Sequence, residues 1–158
     1  MGVILNSTDE KKLSEIKTAN QKLVLVGGCF DILHAAHIEF LTEAKKQGDK
    51  LIILLESDER IKNLKGKNRP INTQNDRAIV LSNLSMVDYV LPLNYLETDD
   101  DYQILVKLIK PDIIAITVGN KIFDWEREYA EKTGNKIVGV MERKKDYSTT
   151  KIEEKIKL

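Results

Sequence analysis

Residues 23–37, with the sequence LVLVGGCFDILHAAH, decide the fold. They begin with the apolar run 23–26, which is typical of a strand buried on both faces. Gly27 and Gly28 follow, and because neither has a Cβ atom the chain can turn sharply and approach a ligand closely there. A helix is predicted to begin near Ala35 or Ala36. The stretch therefore predicts a strand, a glycine turn and a helix start in immediate succession.

The same alternation of strand and helix continues along the chain. Short apolar runs predict strands at 23–26, 51–55, 87–91, 113–116 and 136–140. Helical spacing lies between them, as at Ile38, Leu41 and Ala44. Alternating strands and helices predict an α/β fold, a doubly wound parallel sheet of about five strands with helices on both faces. We expect one domain over 1–158, with a polar helix at 1–20 and the catalytic core at 22–158.

Composition narrows the class of protein and its partners. The chain has 158 residues, with 25 Lys+Arg and 25 Asp+Glu, and a formal net charge of zero. This balance argues against a nucleic-acid partner, which usually selects a basic excess. No apolar stretch approaches the ~20 residues of a membrane span, so no membrane partner is expected. The single cysteine, Cys29, excludes an internal disulfide framework and favours the cytoplasm.

His34 and His37 are the chain's two histidines, and both lie where the helix is predicted to begin. A separation of three residues places them on one side of the first turn. Two imidazole donors beside the positive end of a helix form a candidate anion site, where the carboxyl ends of parallel strands usually bind ligands. Two alternatives remain open at this point: a structural turn, and a metal site that includes Cys29.

The segment Gly28-Cys29-Phe30-Asp31, followed by His34-Ala35-Ala36-His37, resembles the G-x-F-D-x-x-H-x-G-H signature of the nucleotidylyltransferase superfamily, which has a Rossmann-like fold. The resemblance implies that the two histidines contact the triphosphate and stabilise the transition state, and that Gly28, Cys29, Phe30 and Asp31 belong to the nucleotide site. Asp31 would orient either the histidine loop or a metal-bound water. Ala36 stands where the family has glycine.

A basic loop follows the second predicted strand, with Lys65, Lys67 and Arg69 near Gly66 and Pro70. Charge runs are often only solvated surface, but a flexible lysine also suits a pyrophosphate leaving group. The loop, with Arg77 and the later Val87-Asp88, resembles the adenylyltransferase part of ADP-heptose synthases. We expect Lys65 and Lys67 to be catalytic, and Arg69 and Arg77 to bind the acceptor phosphate.

Two later segments complete the predicted nucleotide site. Ser148, Thr149 and Thr150 precede a predicted helix, where hydroxyls serve either as helix caps or as anion ligands. They resemble the family's Ser-(Ser/Thr)-Thr motif, and Arg143 matches the arginine of glycerol-phosphate cytidylyltransferases. Residues 117–120 resemble the turn that lies near the nucleotide base and ribose in members of the family. Gly119 and Asn120 are therefore candidate nucleotide contacts, and Asn120 stands where the family usually has an acidic residue.

The resemblance implies transfer of a nucleoside monophosphate from a triphosphate to a phosphorylated small acceptor, with release of pyrophosphate. An ionised phosphate acceptor needs no general base, so catalysis can rest on positioning and charge neutralisation. Mg²⁺ is expected on the triphosphate, held mainly by phosphate oxygens and waters rather than by a protein metal site. With no kinase segment recognised, the acceptor is expected already phosphorylated.

The predicted substrate pair is ATP and a sugar phosphate similar to heptose phosphate. One alternative is a cytidylyltransferase acting on glycerol phosphate or another polyol phosphate, although residues 78–106 contain no lysine or arginine to bind such an acceptor. An FAD synthetase is a more distant alternative. A nucleotide-binding protein without catalysis is another, motivated by Ala36 and Asn120. Relatives are often homodimers, so a homodimer is an open expectation.

Overall fold

Six parallel strands form one sheet in the part of the chain that the computed structural model describes, residues 1–119, 124–142, 144 and 151–152. The strands are β1 (Val3–Ile4), β2 (Leu23–Gly28), β3 (Lys50–Leu55), β4 (Tyr89–Pro92), β5 (Ile113–Val118) and β6 (Lys136–Glu142). Their spatial order is β1-β4-β3-β2-β5-β6, and every pairing is parallel. The predicted α/β class and doubly wound sheet are confirmed.

Helices connect the strands. They are α1 (Glu10–Glu15), α2 (Ala35–Lys45), α3 (Asp58–Lys65), α4 (Gln74–Ser82), α5 (Asp99–Ile109) and α6 (Asp124–Thr133). Three begin at a hydroxyl cap: Ser57 accepts from the Arg60 N–H, Thr73 from that of Asp76, and Thr98 forms a capping box with Asp101. Such caps satisfy backbone donors that a helix start leaves unpaired. None of the helices in the described residues has the length and apolarity to cross a membrane.

The sheet separates two apolar layers, because successive strand residues point to opposite faces. In β2, Leu23 and Leu25 pack on one side, in a cluster that also contains Tyr102 of α5 and Tyr129 of α6. Val24 and Val26 pack on the other side with residues of α2 and α4. Helices on both faces explain why the strands are continuous apolar runs rather than alternating ones.

Two elements differ from the sequence prediction. The sheet has a sixth strand, β1, whose two residues pair with β4 and stay 44% and 42% exposed; a pair this short carries no periodicity to detect. The polar N-terminal helix is reduced to α1, which buries Leu13 against the core cluster shared with α5. The ends of the other strands differ from the predictions by at most two residues, the usual uncertainty at element boundaries.

Strand order fixes where a ligand can bind. From β2 the chain moves outward to β3 and β4, then returns through α5 to place β5 on the other side of β2. The direction in which successive strands are added to the sheet therefore reverses between β2 and β5. Crevices beyond the carboxyl ends of strands at such a reversal are the usual ligand sites of this architecture, and the glycine and histidine segment follows β2 directly.

Candidate active site

Tight packing shapes the turn that leaves β2. Phe30 has a φ of 44°, in the left-handed region that costs free energy for a residue with a side chain, and its ring is buried. A Cβ atom at Gly28 would lie 2.8 Å from Phe30 Cε2, so Gly28 is required for this approach. A Cβ at Gly27 would meet no described atom within 4 Å, so the chain leaves open space above the end of β2.

The two histidines lie together at the start of α2. His34 is the N-cap residue of this helix and His37 lies in its first turn; their rings stack with centroids 3.8 Å apart and planes inclined by 14°. The Phe30 ring supports His37 from another side, at a centroid distance of 5.2 Å. Among the described residues no side chain caps α2, and its first turn contains no acidic residue. The helix dipole and the two imidazoles therefore favour an anion at the same place.

Burial sets the charge state of the histidines. It lowers the pKa of His37 to about 4, with further lowering by the neighbouring His34 and Lys65, while hydrogen bonding at the Ile32 backbone raises it. Burial also lowers the pKa of His34. His37 is therefore neutral near pH 7. Its buried Nδ1 has no hydrogen-bond partner among the described residues.

Lys65 reaches the histidine segment from α3, of which it is the last residue. Its ammonium group lies close enough to His37 to lower the pKa of that imidazole, and it hydrogen-bonds to the Cys29 thiol. Burial nevertheless raises the pKa of the Cys29 thiol, so Cys29 stays protonated near neutral pH. Lys65 and Lys67 are both exposed. The structure thus brings Lys65 close to His37, while Lys67, two residues further along the chain, is exposed.

Asp31 serves the architecture of the site. Its buried carboxylate accepts a hydrogen bond from Arg69 Nε at 2.5 Å and from the backbone N–H groups of Ile71 and Asn72 at 2.8 and 3.1 Å. In return, the Asn72 amide donates to the Asp31 carbonyl. Of the two alternatives for Asp31, this geometry favours orientation of the histidine loop. The side chain of Arg69 is only 5% exposed, which does not favour the predicted contact with the acceptor.

Arg77 is buried, and its position does not support the predicted role in binding the acceptor phosphate. Its side chain is 1% exposed and ion-pairs with Asp58 at 2.7 Å. The same guanidinium donates to the backbone carbonyls of Cys29, Glu56 and Asn72. A guanidinium has five N–H donors in a fixed fork, and here they join three loops at the carboxyl edge of the sheet. Arg77 therefore fixes the positions of these three loops relative to one another.

Part of the predicted nucleotide site lies outside the described residues, namely Asn120, Arg143, Ser148, Thr149 and Thr150. Of the predicted turn after β5, Gly119 is described and has a φ of 82°, a value that favours glycine. Lys144, which is described, ion-pairs with Glu39 of α2. This contact brings the chain beyond β6 to the helix that carries His37.

The sequence analysis did not identify three polar side chains at this edge of the sheet, those of Glu56, Gln74 and Tyr102. Glu56 follows β3 directly, and its carboxylate accepts from the Tyr102 hydroxyl at 2.9 Å to each oxygen. Gln74 donates from Nε2 to the carbonyls of Leu55 and Leu93, which links the ends of β3 and β4. For Glu56 a signal was present, since a charged residue at the carboxyl end of a buried strand faces the ligand-binding edge.

Comparison with known proteins agrees with this geometry. Residues 25–155 match the family model described as cytidylyltransferase-like. The bifunctional protein HldE of Haemophilus influenzae (strain PittEE) is 37% identical over 99% of this chain and 32% of its own length. HldE of Helicobacter pylori (strain HPAG1) is 39% identical over 99% of this chain and 34% of its own length. The chain thus spans about a third of the length of these curated relatives.

Two solved structures have the same fold. The lipopolysaccharide core biosynthesis protein from Thermoplasma volcanium GSS1 is 32% identical with a TM-score of 0.63, over 81% of this chain and 99% of that one. The pantoate-beta-alanine ligase from Francisella tularensis is 15% identical with a TM-score of 0.62, over 99% of this chain and 77% of that one, and shows the fold alone. The chain belongs to the cytidylyltransferase-like family.

Proposed function

We propose that this protein transfers the adenylyl group of ATP to a sugar phosphate, with release of pyrophosphate. The observation that carries the proposal is the stacked pair His34 and His37 at the uncapped start of α2, with Lys65 beside them. These groups can bind and neutralise adjacent phosphates, and the loops that carry them are fixed by buried hydrogen bonds. Preorganised donors of this kind act without reorganisation when charge develops.

The relatives support the choice of substrates. The HldE proteins are named bifunctional, and this chain matches about a third of their length, so the similarity assigns it to one part of such a protein. The sequence resemblance identifies that part as the adenylyltransferase of ADP-heptose synthases. Sugar phosphate and ATP are therefore the proposed substrates, and cytidylyl transfer to a polyol phosphate is the alternative that the assay below must exclude.

The chemical step is an in-line displacement at the α-phosphorus of ATP. An oxygen of the acceptor phosphate attacks, the bond from the α-phosphorus to the bridging oxygen breaks, and pyrophosphate leaves with that electron pair. His37 is neutral near pH 7, so it stabilises the transferred phosphate through a hydrogen bond and not through a net charge. Lys65 supplies the positive charge next to it. We place Lys67 on the leaving pyrophosphate because it is exposed on the same loop.

Mg²⁺ would enter with the triphosphate. Within the described residues, no three side chains of His, Cys, Asp or Glu are grouped as metal ligands. Mg²⁺ that arrives with ATP would keep several of its waters and bind mainly to phosphate oxygens. The ion would neutralise charge on the triphosphate, and this chain's own residues would position the reacting groups.

The test is a matrix of ATP, CTP, GTP and UTP against sugar 1-phosphates, glycerol phosphate and FMN, with pyrophosphate release as the readout. We expect the highest kcat/KM for ATP with a sugar 1-phosphate. Higher kcat/KM for CTP with glycerol phosphate would replace the proposal by the cytidylyltransferase alternative. No release from any pair, by protein that binds ATP in a thermal-shift assay, would identify a nucleotide-binding protein without catalysis.

A further inference from the structure

Glu56 occupies a position that phosphate chemistry does not explain. It follows β3, and its backbone N–H donates to the Gly28 carbonyl at 3.1 Å, so it lies beside the start of the histidine segment. Its side chain is close enough to raise the pKa of the Cys29 thiol electrostatically. A carboxylate repels the phosphates that His34, His37 and Lys65 are placed to attract. Its presence at this edge therefore calls for a ligand group of a different kind.

The Glu56 carboxylate is held in one orientation but keeps hydrogen-bonding capacity. The Tyr102 hydroxyl donates a single hydrogen that is shared between both carboxylate oxygens at 2.9 Å. Arg60 and Arg77 act on it as nearby positive charges. A carboxylate can accept about four hydrogen bonds, so one shared donor leaves room for others. Burial raises the pKa of Glu56, so a ligand that donates hydrogen bonds would compensate for lost solvation.

Sheet topology indicates which substrate meets Glu56. The reversal between β2 and β5 is the expected place for the nucleotide, and Gly119 ends β5 there. Glu56 lies on the other side of β2, at the end of β3. A substrate that reaches the histidines from that side passes over Glu56. With the nucleotide above β2 and β5, the position above β3 is left for the acceptor.

We propose that Glu56, oriented by Tyr102, determines acceptor specificity by accepting hydrogen bonds from sugar hydroxyls. This inference rests on the proposed function and adds the side chain that recognises the sugar hydroxyls. Hydroxyls donate well to a carboxylate, whereas phosphate is repelled. Glu56 thus turns the sugar toward the end of β3 and the acceptor phosphate toward Lys65 and the histidines. An acceptor that lacks the contacted hydroxyl leaves a half-buried carboxylate without that partner, and sites built to bind a hydroxyl strongly reject such analogues.

The test compares the preferred sugar 1-phosphate with analogues that each lack one hydroxyl. For the wild type, we expect kcat/KM at least tenfold lower for one or more of these monodeoxy acceptors. In Glu56→Ala, the same ratio should fall to within twofold, because the discriminating group is gone. The KM for ATP should stay within twofold of the wild type. Glu59→Ala, an exposed acid on α3, is the matched control and should keep the full discrimination.

Two further variants separate recognition from folding. If Glu56→Ala does not fold, Glu56→Gln keeps the size of the side chain and should lose most of the discrimination. Tyr102→Phe removes the orienting hydroxyl and should reduce discrimination partly. A folded Glu56 variant that still rejects the deoxy acceptors as the wild type does would overturn the inference while the proposed function stands. A wild type without hydroxyl discrimination would also overturn it. No pyrophosphate release from any substrate pair would instead overturn the proposed function, and this inference with it.

Discussion

Four basic residues lie between positions 65 and 77, and the fold treats them in two opposite ways. Lys65 and Lys67 are exposed, and Lys65 reaches the histidines. Arg69 and Arg77 are buried and bound to Asp31, to Asp58 and to backbone carbonyls. All four resemble phosphate ligands in the sequence. Of these four residues, only the two lysines have exposed side chains in the structure.

The difference follows from side-chain chemistry. A guanidinium presents a planar fork of donors that can satisfy several carbonyls at once and is less strongly hydrated than an ammonium, so it tolerates burial. A lysine ammonium is a mobile, strongly hydrated point charge, which suits a leaving group that moves during the reaction. Removing an arginine of this segment should therefore reduce stability first, and removing a lysine should reduce turnover first.

The largest expected effect is that of Arg77→Ala on stability. It leaves three backbone carbonyls without the donor that Arg77 supplies, and each buried acceptor left unsatisfied costs about 1–3 kcal/mol, so we expect a total loss of roughly 3 kcal/mol or more. Asp58 adds less to this loss because its side chain is 37% exposed and can be solvated by water. Urea unfolding should show that loss, with Arg77→Lys intermediate because charge is kept without the fork. Arg127→Ala, an exposed arginine of α6, is the control and should change the free energy of unfolding by less than about 0.5 kcal/mol. A loss below about 1 kcal/mol for Arg77→Ala would return Arg77 to a ligand-binding role.

Lys65→Met should show the reverse pattern. We expect turnover to fall roughly a hundredfold, the scale for removal of one preorganised charge-stabilising group. The free energy of unfolding should change by less than about 0.5 kcal/mol, because the side chain is exposed. Lys62→Met, another exposed lysine of α3, is the matched control and should keep wild-type turnover. If the Lys62 and Lys65 variants lose turnover equally, the helix contributes only a general positive field.

His37 combines a place in the proposed phosphate site with partial burial of its ring, and the pH dependence of stability should reveal this burial. In the folded protein its pKa is lowered from 6.5 to about 4. Between these values the unfolded chain binds a proton that the folded chain does not, so acidification favours unfolding. The free energy of unfolding of the wild type should fall by roughly 1.6 kcal/mol from pH 6.5 to pH 5 through this residue.

His37→Asn removes the titrating group, so urea unfolding at the two pH values should show a pH dependence smaller by that amount. His34 stays in both proteins, so the difference between them isolates His37. An unchanged pH dependence in the variant would show that His37 is not buried as described.

Five of the six described strands and the helix start at the histidine segment were predictable from the sequence, because both depend on local patterns. Continuous apolar runs reveal buried strands, and two histidines three residues apart after a glycine turn can only share one side of a helix start. The burial and the hydrogen-bond partners of Arg69, Arg77 and Glu56 could not be predicted from the sequence. Each depends on partners far away in the sequence, such as Asp31, 38 positions from Arg69, and Tyr102, 46 positions from Glu56. Residue type gives charge, but burial of that charge depends on tertiary contacts.

The central claim is that the histidine segment is the centre of nucleotidyl transfer, and His37→Ala tests it most directly. The measurement is pyrophosphate release from ATP and the preferred sugar 1-phosphate, by wild type and variant, with thermal unfolding to show that both are folded. The account predicts that turnover falls by roughly a hundredfold or more, the effect of losing one preorganised donor. Turnover within about tenfold of the wild type, in a folded variant, would contradict it.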